Sequence, residues 1–149
     1  MNVFQLLAID HVKANTLLNE IASSSEYDIA MRARLCSELK RELELHSEGE
    51  KAHFYPALKR HPETSEFVQD ALRVHDRMET ALADIEDCPP DSREFLEKVG
   101  KLEELLLLHV QQEETEIFPT AERTFSPNES NVIAEKIAAM RPTRLQPAE

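Results

Sequence analysis

Apolar residues recur along most of this chain at intervals of three and four, the spacing that lays one stripe down a helix. Phe4, Leu7, Ala14, Leu18 and Ile21 mark a first helix over residues 3–22, closed by the polar run SSSEYD. Leu35, Leu39, Leu43 and Ala57 mark a second over residues 28–58, which Pro56 ends or kinks before the turn KRHPET. Val68, Ala71, Leu72, Met78 and Leu82 mark a third over residues 64–85, with Thr64 as its N-cap. After the break EDCPPDS, Leu102, Leu105, Leu106 and Ile117 line a fourth over residues 92–119. Ser126, Pro127 and Glu129 then spell a capping box for a short fifth helix ending at Met140. Residues 141–149 read as a flexible C-terminal tail. Rods of about 30–45 Å joined by short connections make antiparallel neighbours. The expected fold is therefore all-α, an up-down-up-down four-helix bundle with a short C-terminal fifth helix, forming one domain over residues 1–140.

The stripes carry polar residues that a plain core would not tolerate. HSEGEKAHFYP (residues 46–56) and HVQQEETEIFP (residues 109–119) share one frame, His-x-x-x-Glu with a later Pro, 63 residues apart. HVKANTLL from His11 and HDRMETAL from His75 repeat at an offset of 64. Each half is thus a helical hairpin with a histidine on its first helix and His-x-x-x-Glu on its second. Leu39, Leu43, His46 and Glu50 step by four, three and four, and so do Leu102, Leu106, His109 and Glu113. His11 falls between Leu7 and Leu18, and His75 and Glu79 fall between Leu72 and Leu82. Two hairpins related by an approximate twofold bring these groups to one level of the core. Buried carboxylates are costly unless paired or coordinated, so the set calls for cations. A lone histidine on an apolar stripe is ordinarily a hydrogen-bonded core residue. One His-x-x-x-Glu among 29 acidic residues is ordinarily an intrahelical surface pair. The doubled frame, with an inward histidine on each preceding helix, is what points to metal.

Composition narrows the picture further. Two glycines and no tryptophan favour helix over a sandwich or a dinucleotide-binding sheet. A net charge of −12 argues against nucleic acid and anionic membranes as partners, and suits cations. Cys36 and Cys88 form no CxxC pair and are expected as free thiols, Cys36 in the core and Cys88 in an exposed loop. NVFQLLAIDHVKA lacks a basic start and an uninterrupted apolar run, so the expected location is cytoplasmic. Seven candidate ligands, His11, His46, Glu50, His75, Glu79, His109 and Glu113, are too many for one tetrahedral zinc. HExxH is absent, and Glu-x-x-His occurs once, at Glu50 and His53, where a ferritin-like site needs two. Histidine-rich dinuclear iron fits best.

His11, the His46 and Glu50 frame, His75, and the His109 and Glu113 frame, in that order and at these separations, resemble the hemerythrin-like (HHE cation-binding) family over roughly residues 1–125. The resemblance implies a non-haem pair of iron ions, bridged by two carboxylates and an oxo or hydroxo group. Carried over, Glu50 and Glu113 would bridge, His11 and His46 would hold one iron, and His75 and His109 the other. O2, peroxide or NO would be the small ligand, and the protein a monomer or homodimer. The same likeness leaves room for catalase-like or iron-oxidising activity, or for iron or redox sensing through a partner protein. Oxygen carriers of the family place a fifth histidine where this chain has Glu79, whose counterpart in the first half is Asn15. Glu79 is expected to ligate, leaving the other iron an open position. Tyr55 is expected to pack beside Pro56, His53 to end a helix, and His61 and Glu114 to be solvated.

Overall fold

The computed structural model describes residues 1–142. Helix α1 (Val3–Ala22) opens on a full capping box, in which the Asn2 side chain accepts from Gln5 N–H while the Gln5 side chain accepts from Asn2 N–H. It runs against α2 (Ile29–Gly49). Helix α5 (Phe67–Glu86) runs against α6 (Phe95–Gln112) in the same way, and α1 also lies on α6. These four rods form the bundle the stripes predict. The short α3 (Tyr55–Lys59) and α4 (Pro62–Ser65) link its halves, and α7 (Phe118–Thr124) extends α6. The fifth helix, α8 (Pro127–Met140), packs on α1 and on the segment following α2.

Several helix ends differ from their sequence signals. Thr64 does not cap the third rod. It lies inside α4, and its hydroxyl donates to Leu58 O at 2.7 Å, closing the turn after α3. Ser92 precedes α6 by three residues because its hydroxyl holds a local turn with Glu94. Ser126 caps α8 by accepting from Glu129 N–H, as expected, while the Glu129 carboxylate faces His61 at 3.1 Å. His61 is therefore half-buried and paired where a solvated ring was expected. Cys88 is buried and Cys36 is only partly so, the reverse of expectation. No helix among the described residues is long and apolar enough to cross a membrane.

The core is built in two apolar blocks with a polar layer between them. One block gathers Phe4, Phe54, Phe118, Phe125, Ile133 and Ile137, with Phe4 and Phe118 ring centroids 5.5 Å apart. The other gathers Leu18, Ile21, Leu39, Leu82, Phe95 and Leu102. Each such side chain contributes about 1.5–3 kcal/mol on burial, which is what holds the costly layer between them. At the far end, buried Arg32 ties two loops together. It donates to Ser24 Oγ and to Pro90 O, and it lies 4.8 Å from the Phe95 ring centroid.

Candidate metal centre

Both His-x-x-x-Glu frames end in a change of helix type. Residues Glu50–Phe54 and Glu113–Ile117 form single π turns, closed by Tyr55 N–H donating to Glu50 O and Phe118 N–H donating to Glu113 O. The cause is the proline that follows each frame. In an unbroken α-helix, the rings of Pro56 and Pro119 would clash with the carbonyls of Ala52 and Thr115 and leave them without donors. Widening the preceding turn lets the rod continue into α3 and α7, so Pro56 neither ends the helix nor frays it.

The polar layer is closed to solvent. His11, His46, Glu50, His75, His109 and Glu113 are all buried, Glu50 and Glu113 completely. Their ring Nε2 atoms and carboxylate oxygens converge. Glu50 Oε1 lies 3.0 Å from His46 Nε2 and 2.9 Å from His75 Nε2. Glu113 Oε1 lies 3.0 Å from His11 Nε2 and 3.1 Å from His109 Nε2. His46 and His109 face each other, Nε2 to Nε2, at 3.1 Å. Two groups of donors result, His11, His46, His109 and Glu113 in one, and Glu50, His75 and His109 in the other.

Three of the outward Nδ1 atoms are engaged. His46 Nδ1 meets Asp10 Oδ2 at 2.9 Å, His11 Nδ1 meets Glu114 Oε2 at 2.7 Å, and His75 Nδ1 meets the Ser47 hydroxyl at 2.9 Å. Among the described residues, His109 Nδ1 and the second oxygen of Glu50 have no hydrogen-bond partner. Carboxylates at Nδ1 of His46 and His11 fix the proton there and turn the Nε2 lone pairs inward. Inward lone pairs facing carboxylates, with an orphaned buried oxygen beside them, form an acceptor-rich chamber that fits a cation.

Without a cation, protons balance these acceptors. Burial opposes charge on His46, yet the Glu50 carboxylate and hydrogen bonds to Asp10 and Glu113 hold its pKa well above the ordinary imidazole range. Burial likewise opposes charge on His11, and its contacts with Glu113 and Glu114 raise its pKa. Glu113 is buried too, but the His109 imidazole beside it and hydrogen bonds from His109 and His11 pull its carboxyl well below the usual range. Asp10 is lowered against its burial by His46 and Arg141.

Tyr55 belongs to this centre, contrary to the expectation that it packs beside Pro56. Its hydroxyl lies 2.7 Å from His75 Nε2, 3.1 Å from Glu50 Oε1 and 3.2 Å from Glu113 Oε2. On an α-helix, a residue five positions after Glu50 sits ~140° round the axis from it. The π turn takes up most of that offset and brings the hydroxyl inward. Burial and the two carboxylates push its pKa well up, so it keeps its proton. One sequence signal was available: the repeat places Phe118 opposite Tyr55, and Phe118 stacks on His11 with centroids 6.0 Å apart and an interplanar angle of 4°.

Glu79, expected as a ligand, lies outside the cluster. Its carboxylate is 59% exposed and pairs with Lys51 Nζ at 2.8 Å across the gap between the first π turn and α5. Burying that charge would cost more than leaving it in water beside an ammonium. Glu114 stands on the solvated flank as expected, yet it reaches inward to His11. His53 is half-buried inside the first π turn, where a helix end was expected, and joins neither donor group. Asp10, Ser47 and Arg141 were not identified from the sequence. Arg141 lies where a free tail was expected, and residues 143–149 of that tail lie outside those described.

The chain matches the family described as Hemerythrin HHE cation binding domain over residues 2–121. A curated relative, a DNA nickase of Nostoc sp., is 24% identical over 141 residues. That alignment covers 95% of this chain and 39% of the relative, so the chain spans about two-fifths of the length of the protein it matches. Among solved structures, a Hemerythrin HHE cation binding domain-containing protein from Mycobacterium kansasii gives a TM-score of 0.83 at 23% identity. The match covers 94% of this chain and 85% of that one, and it speaks to the fold.

Proposed function

Because the chain belongs to the hemerythrin HHE cation-binding domain family, we propose that its buried cluster is a non-haem di-iron centre taking O2, peroxide or NO as ligand. One observation carries this reading. Each carboxylate touches one histidine of each pair: Glu50 reaches His46 and His75, and Glu113 reaches His11 and His109. An imidazole Nε2 has one lone pair and serves one ion, whereas a carboxylate has two oxygens and can span two. With the pairing that the family resemblance implies, His11 and His46 would hold one iron and His75 and His109 the other, and Glu50 and Glu113 are the carboxylates placed to link them. The iron pair, when bound, supplies Lewis acidity and two adjacent one-electron redox centres. The chain's own residues exclude water with the two apolar blocks, orient the imidazoles through their Nδ1 contacts, and hold one proton on Tyr55 at the centre.

The Tyr55 proton favours one second reading, in which the same centre breaks down peroxide or oxidises iron, since such turnover needs a proton source away from bulk water. DNA nicking is not carried over from the longer relative, because backbone binding draws on a basic surface and this chain carries −12. Metal analysis with an optical spectrum on purified protein tests the main reading. About two irons per chain with ligand-to-iron charge-transfer absorption are expected; protein from iron-replete cells that holds no iron would sink it. Anaerobic ferrous protein exposed to air then separates the two readings. A reversible spectrum supports carriage, and irreversible oxidation or sustained gas release from peroxide supports turnover.

A further inference from the structure

We propose that α8 is a clamp on the metal centre, with Arg141 a positioning residue that holds His46 for its ion through Asp10. The inference rests on the metal reading above and adds a component from outside the residues matched to the family, which end at residue 121. Arg141 Nη1 donates to Asp10 Oδ1 at 2.9 Å and Nη2 to Asp10 Oδ2 at 2.6 Å. Asp10 Oδ2 in turn accepts from His46 Nδ1 at 2.9 Å. The planar fork of a guanidinium holds both oxygens of a carboxylate and so fixes its plane. A fixed Asp10 fixes the His46 ring, and with it the direction of the Nε2 lone pair toward Glu50.

Two further features hold the clamp in place. Ile137, fully buried on α8, rests on Gly49, where an added Cβ would come within 2.7 Å of Ile137 Cγ2. Gly49 immediately precedes the bridging candidate Glu50, so α8 sits directly against the backbone that carries the site. Pro142 then restricts Arg141 to an extended backbone, observed at φ −89° and ψ 142°, which stops α8 at Met140. The repeat gives the second half no equivalent. Gln112 stands at the position of Gly49 and Val74 at that of Asp10, and His109 Nδ1 has no partner among the described residues. The clamp therefore acts on one ion's ligand set and leaves the other's untouched.

The test is anaerobic Co(II) titration of the metal-stripped full chain, followed by d–d absorption and by the hyperfine-shifted exchangeable imidazole N–H resonances. Arg141→Ala is expected to weaken one of the two Co(II) sites by about 10- to 100-fold and to broaden one N–H resonance by faster exchange, with helicity unchanged. Arg141→Lys, which keeps the charge and loses the fork, should fall between Arg141→Ala and the parent, and it decides the matter if the alanine variant folds poorly. Asp10→Ala combined with Arg141→Ala should weaken binding no further than Asp10→Ala alone. Additive losses in the double variant would show that Arg141 does not act through Asp10 and would overturn the proposal. Unchanged affinity and resonances in Arg141→Ala would overturn the clamp while leaving the metal reading intact. A parent chain that takes up no Co(II) would overturn both.

Discussion

The two halves of the bundle carry the same ligand frame and support it differently. In the first half, His46 is backed by Asp10 and Arg141, and Tyr55 brings a hydroxyl into the centre. In the second, Val74 replaces Asp10, Phe118 replaces Tyr55, and His109 Nδ1 meets no partner among the described residues. The remaining supports cross between the halves. His11 leans on Glu114 of the second hairpin, and His75 leans on Ser47 of the first. The comparison teaches that the ligands are repeated while their supports are not. The ligand set obeys the period of the hairpin. The supports depend on which neighbour each flank happens to meet.

The sharpest break in this picture is His109→Ala. His109 belongs to both donor groups, so its loss should cut iron content to about half or less and leave Glu113 as an unbalanced buried charge, costing about 3–5 kcal/mol. Iron assay and denaturant unfolding read both effects, and a variant that keeps two irons would remove His109 from the centre.

Acidity probes both halves at once in metal-stripped protein. Glu113 and Asp10 have lowered folded pKa values, so their stabilisation is present above the unfolded carboxylate values of 4.5 and 3.8 and is lost as pH falls through the folded ones. His46 and His11 have raised folded values, so theirs is complete below 6.5 and is lost as pH rises through the folded values. Stability should therefore be greatest between pH 4.5 and 6.5. Iron loading should abolish the alkaline loss, because the ions replace the imidazole protons. An alkaline limb that iron leaves unchanged would argue that the ions sit elsewhere.

Tyr55→Phe gives the first half the residue of the second. Removing a hydroxyl that touches His75, Glu50 and Glu113 should cost about 1–3 kcal/mol in the metal-stripped chain. It should also alter the charge-transfer spectrum of the loaded one. A spectrum and denaturation midpoint identical to the parent's would mean that the hydroxyl does not tie the centre together. The smallest effect is expected from Glu79→Gln, since an exposed pair with Lys51 is worth at most about 1 kcal/mol. Iron content should not change, and a loss of iron would return Glu79 to the ligand set.

The amino-acid sequence by itself determined the four rods, the apolar stripes and the arrival of four imidazoles and two carboxylates at one level. These follow from the helical period and from the hairpin repeat, both of which can be counted along the chain. Glu79 defeated that counting because a stripe has flanks, and one turn after His75 the flank of α5 faces water and Lys51. Tyr55 defeated it because the 3.6-residue period holds only until Pro56 widens the preceding turn. Both prolines were visible, but their effect on the turn before them was not. Asp10 and Arg141 lie 131 positions apart, and only tertiary packing of α8 over Gly49 brought them together. No local period carries information about a partner at that distance.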